Sequence, residues 1–281
     1  MVISFLPVDN FLNDVASLGK HNWKVITGER SSKESVFNTW RAKIFGLFQK
    51  QSDYIVCNSE NARKMWIKYY PQYESKLNVI YNNVQLPAIT SEYRIRKNGK
   101  THIVIAAAYS YVKDPQDLIK ALALMTDEQC NMLSVEWYGK IGANTESDCV
   151  YRECEDLIAD NGLEHVITLK DVTLEIANKM TEADVVALFS KLEGLPNSIC
   201  EGMTLKKPVL MTRISDYAQL IDETNGYLCD VQSPQSIKDA LIRILNTSNE
   251  TLIQKGEVSK MKANILFSEQ RIVAQWIKII D

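Results

Sequence analysis

Glycine-rich phosphate loops are missing from this 281-residue chain. It has no Gly-x-Gly-x-x-Gly, no Walker loop, no Gly-x-Ser-x-Gly elbow and no His-Glu-x-x-His. Dehydrogenase, kinase, hydrolase and zinc-protease readings therefore have no support. Histidine is scarce: His21, His102 and His165 lie far apart and suggest no metal cluster. The six cysteines (Cys57, Cys130, Cys149, Cys154, Cys200 and Cys229) form no Cys-x-x-Cys pair. Most sit in apolar or helical context, as buried free thiols of a reducing compartment do. Cys149 and Cys154 can share a helix, but a zinc site needs two more ligands nearby. No apolar run approaches the length of a bilayer span. Residues 1–6 carry no basic segment and run into Pro7 and Asp9, unlike a signal peptide. A cytoplasmic location is the expectation. A net charge of -3 leaves no nucleic-acid footprint. What is present, 46% hydrophobic and 24% charged residues, is globular composition at a length that admits two domains.

Short apolar runs at 2–6, 23–27, 53–58 and 77–81 read as strands. Helices are expected at 10–18, at 35–51 (Val36, Trp40, Ile44, Leu47 and Phe48 at helical spacing) and at 60–70, where Ser59 is a natural N-cap. Such alternation predicts a parallel sheet. Thr27-Gly-Glu-Arg30 ends the second strand in a turn, and Asn83 closes the series. Pro87, Thr90, Ser91 and the basic run 94–100 then read as a linker. A second series follows. Its strands are expected at 102–107, 133–138, 166–169, 184–189, 208–212 and 226–229. Its helices are expected at 115–125 (Leu118, Leu122 and Met125 inward), 147–161 (closed by Gly162), 174–183, 217–223, 234–245 and 258–267, with a last one to 280 capped at Ser268. The reading is α/β, with domains at 1–86 and 101–266, a linker at 87–100 and a returning helix at 267–281.

The turn Ser190-Lys-Leu-Glu-Gly-Leu-Pro-Asn-Ser-Ile-Cys-Glu-Gly202 joins a strand to a helix, where open α/β sheets bind ligands. Pro196 suits the first helical position. N–H groups from Asn197 onward point out of a helix N-terminus with its partial positive charge. Gly194 admits close backbone approach. Glu193 lies in the turn, and Glu201 lies one turn above Asn197 and Ser198 on the same helical face. Two carboxylates flanking backbone donors suit a ligand with phosphate between two sets of hydroxyls, although a capping acid and a solvated acid would give the same bare spacing. In the turn after the strand at 102–107, small residues permit phosphate approach and Lys113 adds a point charge. Gly139 closes the next strand, as a ligand-approach glycine or an ordinary turn.

Glu193-Gly-Leu-Pro-Asn-Ser-Ile-Cys-Glu201, followed by Lys207-Pro-Val-Leu-Met211, resembles the Glu-x7-Glu signature of the retaining family 4 glycosyltransferases. The resemblance implies a GT-B fold of two Rossmann-like domains, with a nucleotide-diphosphate sugar held mainly by the second. It implies Glu193 and Lys113 as catalytic residues, Glu193 beside the reacting carbon and Lys113 on the diphosphate. Glu201 would bind ribose hydroxyls, and Gly194, Leu195, Pro196, Asn197 and Ser198 would stabilise the leaving phosphate, with Gly139 near the nucleotide. Many relatives carry an arginine where Ala108 stands, which leaves one fewer cation on the donor. Arg30 matches an acceptor-side position. The resemblance further implies a glycan or lipid-linked acceptor, no metal or cofactor, no nucleic-acid partner, and peripheral contact with the inner face of a membrane through such an acceptor. Relatives carry several strands before the point matching Val2, so an incomplete N-terminal domain is expected. A truncated sugar-nucleotide-binding module, or one subunit of a split transferase, is the second reading, and a nucleotide-sugar epimerase the third.

Overall fold

The computed structural model describes residues 1–30, 37–142 and 144–281, which fall into two compact units. The first comprises Met1–Asn83, Leu192–Leu195 and Leu266–Asp281. Its four strands, β1 (Val2–Phe5), β2 (Val25–Glu29), β3 (Tyr54–Cys57) and β4 (Leu77–Val79), lie side by side in that order, all parallel. Helix α1 (Pro7–Ala16) starts three residues before the expected 10, because Pro7 takes the first helical position. Of the helix expected from 35, Ser35 and Val36 lie outside the described residues. Helix α2 (Trp40–Phe48) begins at Thr39, whose Oγ1 accepts from the Ala42 N–H at 3.1 Å. Helix α3 (Glu60–Tyr69) is capped by Ser59, whose Oγ accepts from the Ala62 N–H at 3.0 Å.

The period-two pleat sends alternate residues of β3 to opposite faces. Ile55 and Cys57 join Phe37, Trp66, Tyr73 and Leu77 on one side. Val56 joins Ile26 and Ile80 on the other, where Ile272 and Ile279 of the last helix (Glu269–Ile280) complete the core. Ser268 stands at the cap position of that helix but makes no side-chain cap bond, contrary to the expectation from sequence.

The second unit comprises Val84–Lys191 and Pro196–Ile265. Its strands are β5 (Thr101–Ala106), β6 (Leu133–Tyr138), β7 (Ile167–Lys170), β8 (Val185–Leu188), β9 (Val209–Thr212) and β10 (Gly226–Cys229). They pair in the order β10-β9-β8-β5-β6-β7, every pair parallel. The chain thus winds outward in both directions from β5 and β8, and the crevice beyond their carboxyl ends is the switch point of the sheet. A short helix at Asp127–Asn131 went unforeseen; a capping box of Thr126 and Gln129 starts it. The helix expected from 258 begins at Asn249. Arg96 donates its guanidinium to the carbonyls of Ile244, Leu245 and Thr247, at the negative end of helix Pro234–Leu245.

All six cysteines are free, and Cys149 alone of them is exposed. Among the described residues no helix is long and apolar enough to cross a membrane, and no group of three or more His, Cys, Asp or Glu side chains is placed to hold a metal ion.

Candidate functional site

Two segments meet at the switch point of the second unit. The first is the loop after β5. Ala107 donates its N–H to the Tyr138 carbonyl at 3.0 Å, and its own carbonyl accepts from the Trp137 indole at 2.8 Å. Tyr109 is buried beneath the loop, with its hydroxyl donating to the Lys170 carbonyl (2.8 Å) and accepting from the Lys170 N–H (2.9 Å). Ala108 sits between them on the surface. Gly139 is part of the same fastening. A Cβ there would stand 2.4 Å from the Ala107 carbonyl oxygen, so its lack of a side chain serves the packing of two strand ends.

The loop then turns at Ser110, whose carbonyl accepts from the N–H groups of Lys113 (3.0 Å) and Asp114 (3.2 Å). Lys113 is half-buried. Asp114 adopts a left-handed conformation (φ 56°) and is buried, and Pro115 opens the next helix (Pro115–Ala123). Lys191, three residues beyond the end of β8, secures this turn twice. Its N–H donates to the Val112 carbonyl at 2.7 Å, and its ammonium lies 3.2 Å from the Asp114 carboxylate. Burial still holds the Asp114 carboxyl above its ordinary range.

The second segment is the helix Asn197–Thr204. Pro196 is its N-cap and not its first residue, because its ψ of 82° is not helical. The Pro196 carbonyl accepts from the N–H groups of Ile199 and Cys200, both at 3.1 Å. Ile199, Cys200, Gly202 and Met203 are buried, and a Cβ on Gly202 would stand 2.7 Å from the Val186 side chain of β8. This seating leaves Asn197 exposed and Ser198 and Glu201 half-buried on the helix's remaining face. Burial raises the Glu201 carboxyl above its usual range. Lys113, Asn197, Ser198 and Glu201 thus stand on the two segments that leave the switch point.

Glu193, Gly194 and Leu195 pack with the first unit instead. A Cβ on Gly194 would stand 2.4 Å from the carbonyl oxygen of Arg30, so the glycine admits the protein's own backbone. Arg30 is exposed, with its guanidinium 4.9 Å from the centre of the Phe5 ring. Sequence reasoning passed over the Lys191–Asp114 pair. Its signal is faint: an Asp-Pro at a helix start, and a lysine two residues before Glu193.

Residues 99–247, just over half of the chain, match the family model of the glycosyl transferases group 1. An uncharacterized glycosyltransferase of Methanocaldococcus jannaschii is 28% identical over 112 residues, which cover 38% of this chain and 32% of that protein. A D-inositol 3-phosphate glycosyltransferase of Pseudarthrobacter chlorophenolicus is 24% identical over 220 residues, 74% of this chain and 51% of that protein. The chain therefore spans about a third to about a half of the length of these curated relatives. HepE of Anabaena, crystallised with UDP and glucose, superposes with a TM-score of 0.85 at 17% identity, over 99% of this chain and 77% of that one. That likeness gives the fold, GT-B, with its two parallel-sheet units. On the family match, the chain belongs to the glycosyl transferases group 1.

Proposed function

We propose that the chain binds a nucleotide-diphosphate sugar at the switch point of its second unit and transfers the sugar, with retained anomeric configuration, to a glycan or lipid-linked glycan acceptor. The observation that carries this reading is the fastening of the Lys113 turn to the segment between β8 and Glu193, through Lys191. It holds a cation and a helix N-terminus on neighbouring segments, the pair of elements that a leaving diphosphate requires.

In this reading Glu201 accepts hydrogen bonds from ribose hydroxyls, and Lys113, Ser198 and the backbone at Asn197 hold the diphosphate. The bond between the anomeric carbon and the β-phosphate oxygen breaks, and its electron pair stays on that oxygen. The acceptor oxygen bonds to the same face of the carbon and gives its proton to the departing phosphate. Negative charge grows on the phosphate during the step, so stabilising it lowers the barrier most. Glu193 orients the sugar, and the residues in hand supply the charge without a metal. HepE was crystallised with UDP and glucose, which makes UDP the first nucleotide to test. Membership in family 4, and a role in polysaccharide assembly at a cytoplasmic membrane face, belong to the same reading.

Calorimetric titration with UDP and GDP tests it, beside Glu201→Ala and Lys113→Ala. One nucleotide should bind saturably, and each variant should weaken it by at least about tenfold, or ~1.4 kcal/mol. No binding of either nucleotide sinks the proposal. Binding with no transfer to any acceptor would instead make the chain a nucleotide-sugar-binding module.

A further inference from the structure

Helix α2 (Trp40–Phe48) carries apolar residues on two sides, and the protein covers one of them. Its inner side is engaged. Phe45 stacks on Phe11 of α1 at 4.5 Å between ring centroids, and Phe48 meets the same ring edge-on at 5.1 Å. The Tyr70 hydroxyl donates to the Ala42 carbonyl at 3.0 Å, and the Tyr73 hydroxyl to the Gly46 carbonyl at 2.9 Å. The outer side faces solvent: Trp40 is 68% exposed, Ile44 40% and Leu47 63%. Spacings of four and then three residues put these three on one face. A single exposed apolar side chain is ordinary, but a continuous stripe of them marks an interaction surface.

The charges around the stripe identify the partner. From Phe37 to Ser52 the chain has three cations, Arg41, Lys43 and Lys50, and no acid, although its net charge is -3. All three are exposed. By helical periodicity Arg41 falls on one flank of the stripe and Lys43 on the other, with Lys50 in the following turn. The Arg41 guanidinium lies 5.4 Å from the centre of the Trp40 ring. A second copy seated on this face by two-fold symmetry would set these cations against their own kind. A nucleic acid would neutralise them but leave Ile44 and Leu47 uncovered. An anionic lipid surface satisfies both features. Its headgroups meet the cations, the stripe enters the apolar boundary beneath them, and an indole favours that boundary.

We propose that the outer face of α2 docks the protein on an anionic lipid bilayer, with Trp40, Ile44 and Leu47 in the headgroup boundary and Arg41, Lys43 and Lys50 on lipid phosphates. The chain's own surface makes this contact, which needs neither nucleotide nor glycan acceptor. It therefore stands whether or not the chain transfers sugar.

The test sediments the full chain with vesicles of phosphatidylcholine alone and of equal parts phosphatidylcholine and phosphatidylglycerol. No nucleotide or glycolipid is present, so the outcome is separate from that of the UDP and GDP titration. The chain should bind the mixed vesicles at least about tenfold more tightly than the neutral ones, and salt should weaken that binding. Arg41→Gln and Lys43→Gln should each cost about fivefold on the mixed vesicles. Leu47→Ser should also cost at least about fivefold, because the stripe is buried in the boundary. Indole emission should shift to the blue on vesicle addition, and Trp40→Phe should remove the shift. Arg94→Gln with Lys97→Gln, exposed cations of the second unit, should change nothing. Four results would each overturn the proposal: no binding, equal binding to both vesicles, full binding by Leu47→Ser, or a loss in the Arg94 and Lys97 variant as large as that in α2.

Discussion

The ammonium of Lys191 lies 3.2 Å from the carboxylate of Asp114, which is buried with Oδ2 lacking a hydrogen-bond partner among the described residues. One ion pair therefore neutralises a buried charge and also fixes the turn that presents Lys113. Lys191→Met leaves the carboxylate without its cation. Because Lys191 is about one-third exposed, the loss should be about 2 kcal/mol, below the 3–5 kcal/mol of a fully buried pair. Adding Asp114→Asn should return much of that stability in urea denaturation. A double variant as unstable as Lys191→Met would show that the pair is not what Lys191 contributes.

Gly194 permits an approach that any side chain would block. The atom it faces is a backbone carbonyl oxygen, Arg30 O, which cannot rotate aside as a side chain can. Gly194→Ala should cost about 1–3 kcal/mol, as overpacked sites do, and should slow transfer more than it weakens nucleotide binding. Unchanged stability in denaturant would mean that this approach is not maintained in solution.

The pH dependence of stability should have two limbs of opposite slope. Burial raises the Asp14 carboxyl from 3.8 to about 7, despite a hydrogen bond from Ser52 and the charge of Lys76. Burial likewise raises Glu29 from 4.5 to about 7. Between these values the folded chain holds protons that the unfolded chain has released, so stability falls as pH rises from about 4 to about 7. Lys207 behaves in the opposite way. Burial lowers its ammonium from 10.5 to about 7, with the nitrogen 3.3 Å from the centre of the Tyr93 ring. From pH 7 to 10.5 the unfolded chain carries a proton that the folded one lacks, so stability rises with pH. Urea midpoints from pH 5 to 10 would show a trough near neutrality. Asp14→Asn should flatten the acid limb and Lys207→Met the alkaline one. A midpoint that climbs steadily across the whole range would contradict the assignments of Asp14 and Glu29, and one that falls steadily would contradict that of Lys207.

The second sheet was legible because its strands are short apolar runs bounded by turn residues, and Val185–Leu188 and Val209–Thr212 are buried throughout. The helix Asp127–Asn131 was not, since five residues carry too little periodicity and only its capping box announces it. The helix Asn249–Phe267 was half seen. Leu252 and Ala263 are buried while Ile253, Met261 and Ile265 are exposed, so its apolar residues ring the helix and blur the 3.6-residue pattern. At the site, Lys113, Ser198 and Glu201 could be singled out from local motifs. Lys191 with Asp114, and Gly194 with Arg30, could not, because each pair is assembled by the fold from distant stretches. Glu29 went unnoticed beside Arg30 for the same reason: its environment comes from Asn10 and Trp66, on two different helices.

The chain passes between the two units four times, at 83/84, 191/192, 195/196 and 265/266. Neither unit is therefore a cassette that could be lifted out by one cut. A product ending at the linker would lack Ile272 and Ile279, whose burial against Ile26, Val56 and Ile80 contributes about 1.5–3 kcal/mol for each side chain. A stop codon just before Glu269 would injure the first unit, whose strands end at Val79, and leave every strand of the second sheet in place. Recombination that swaps the two units has to carry the last helix along with the first unit, because both are parts of one core.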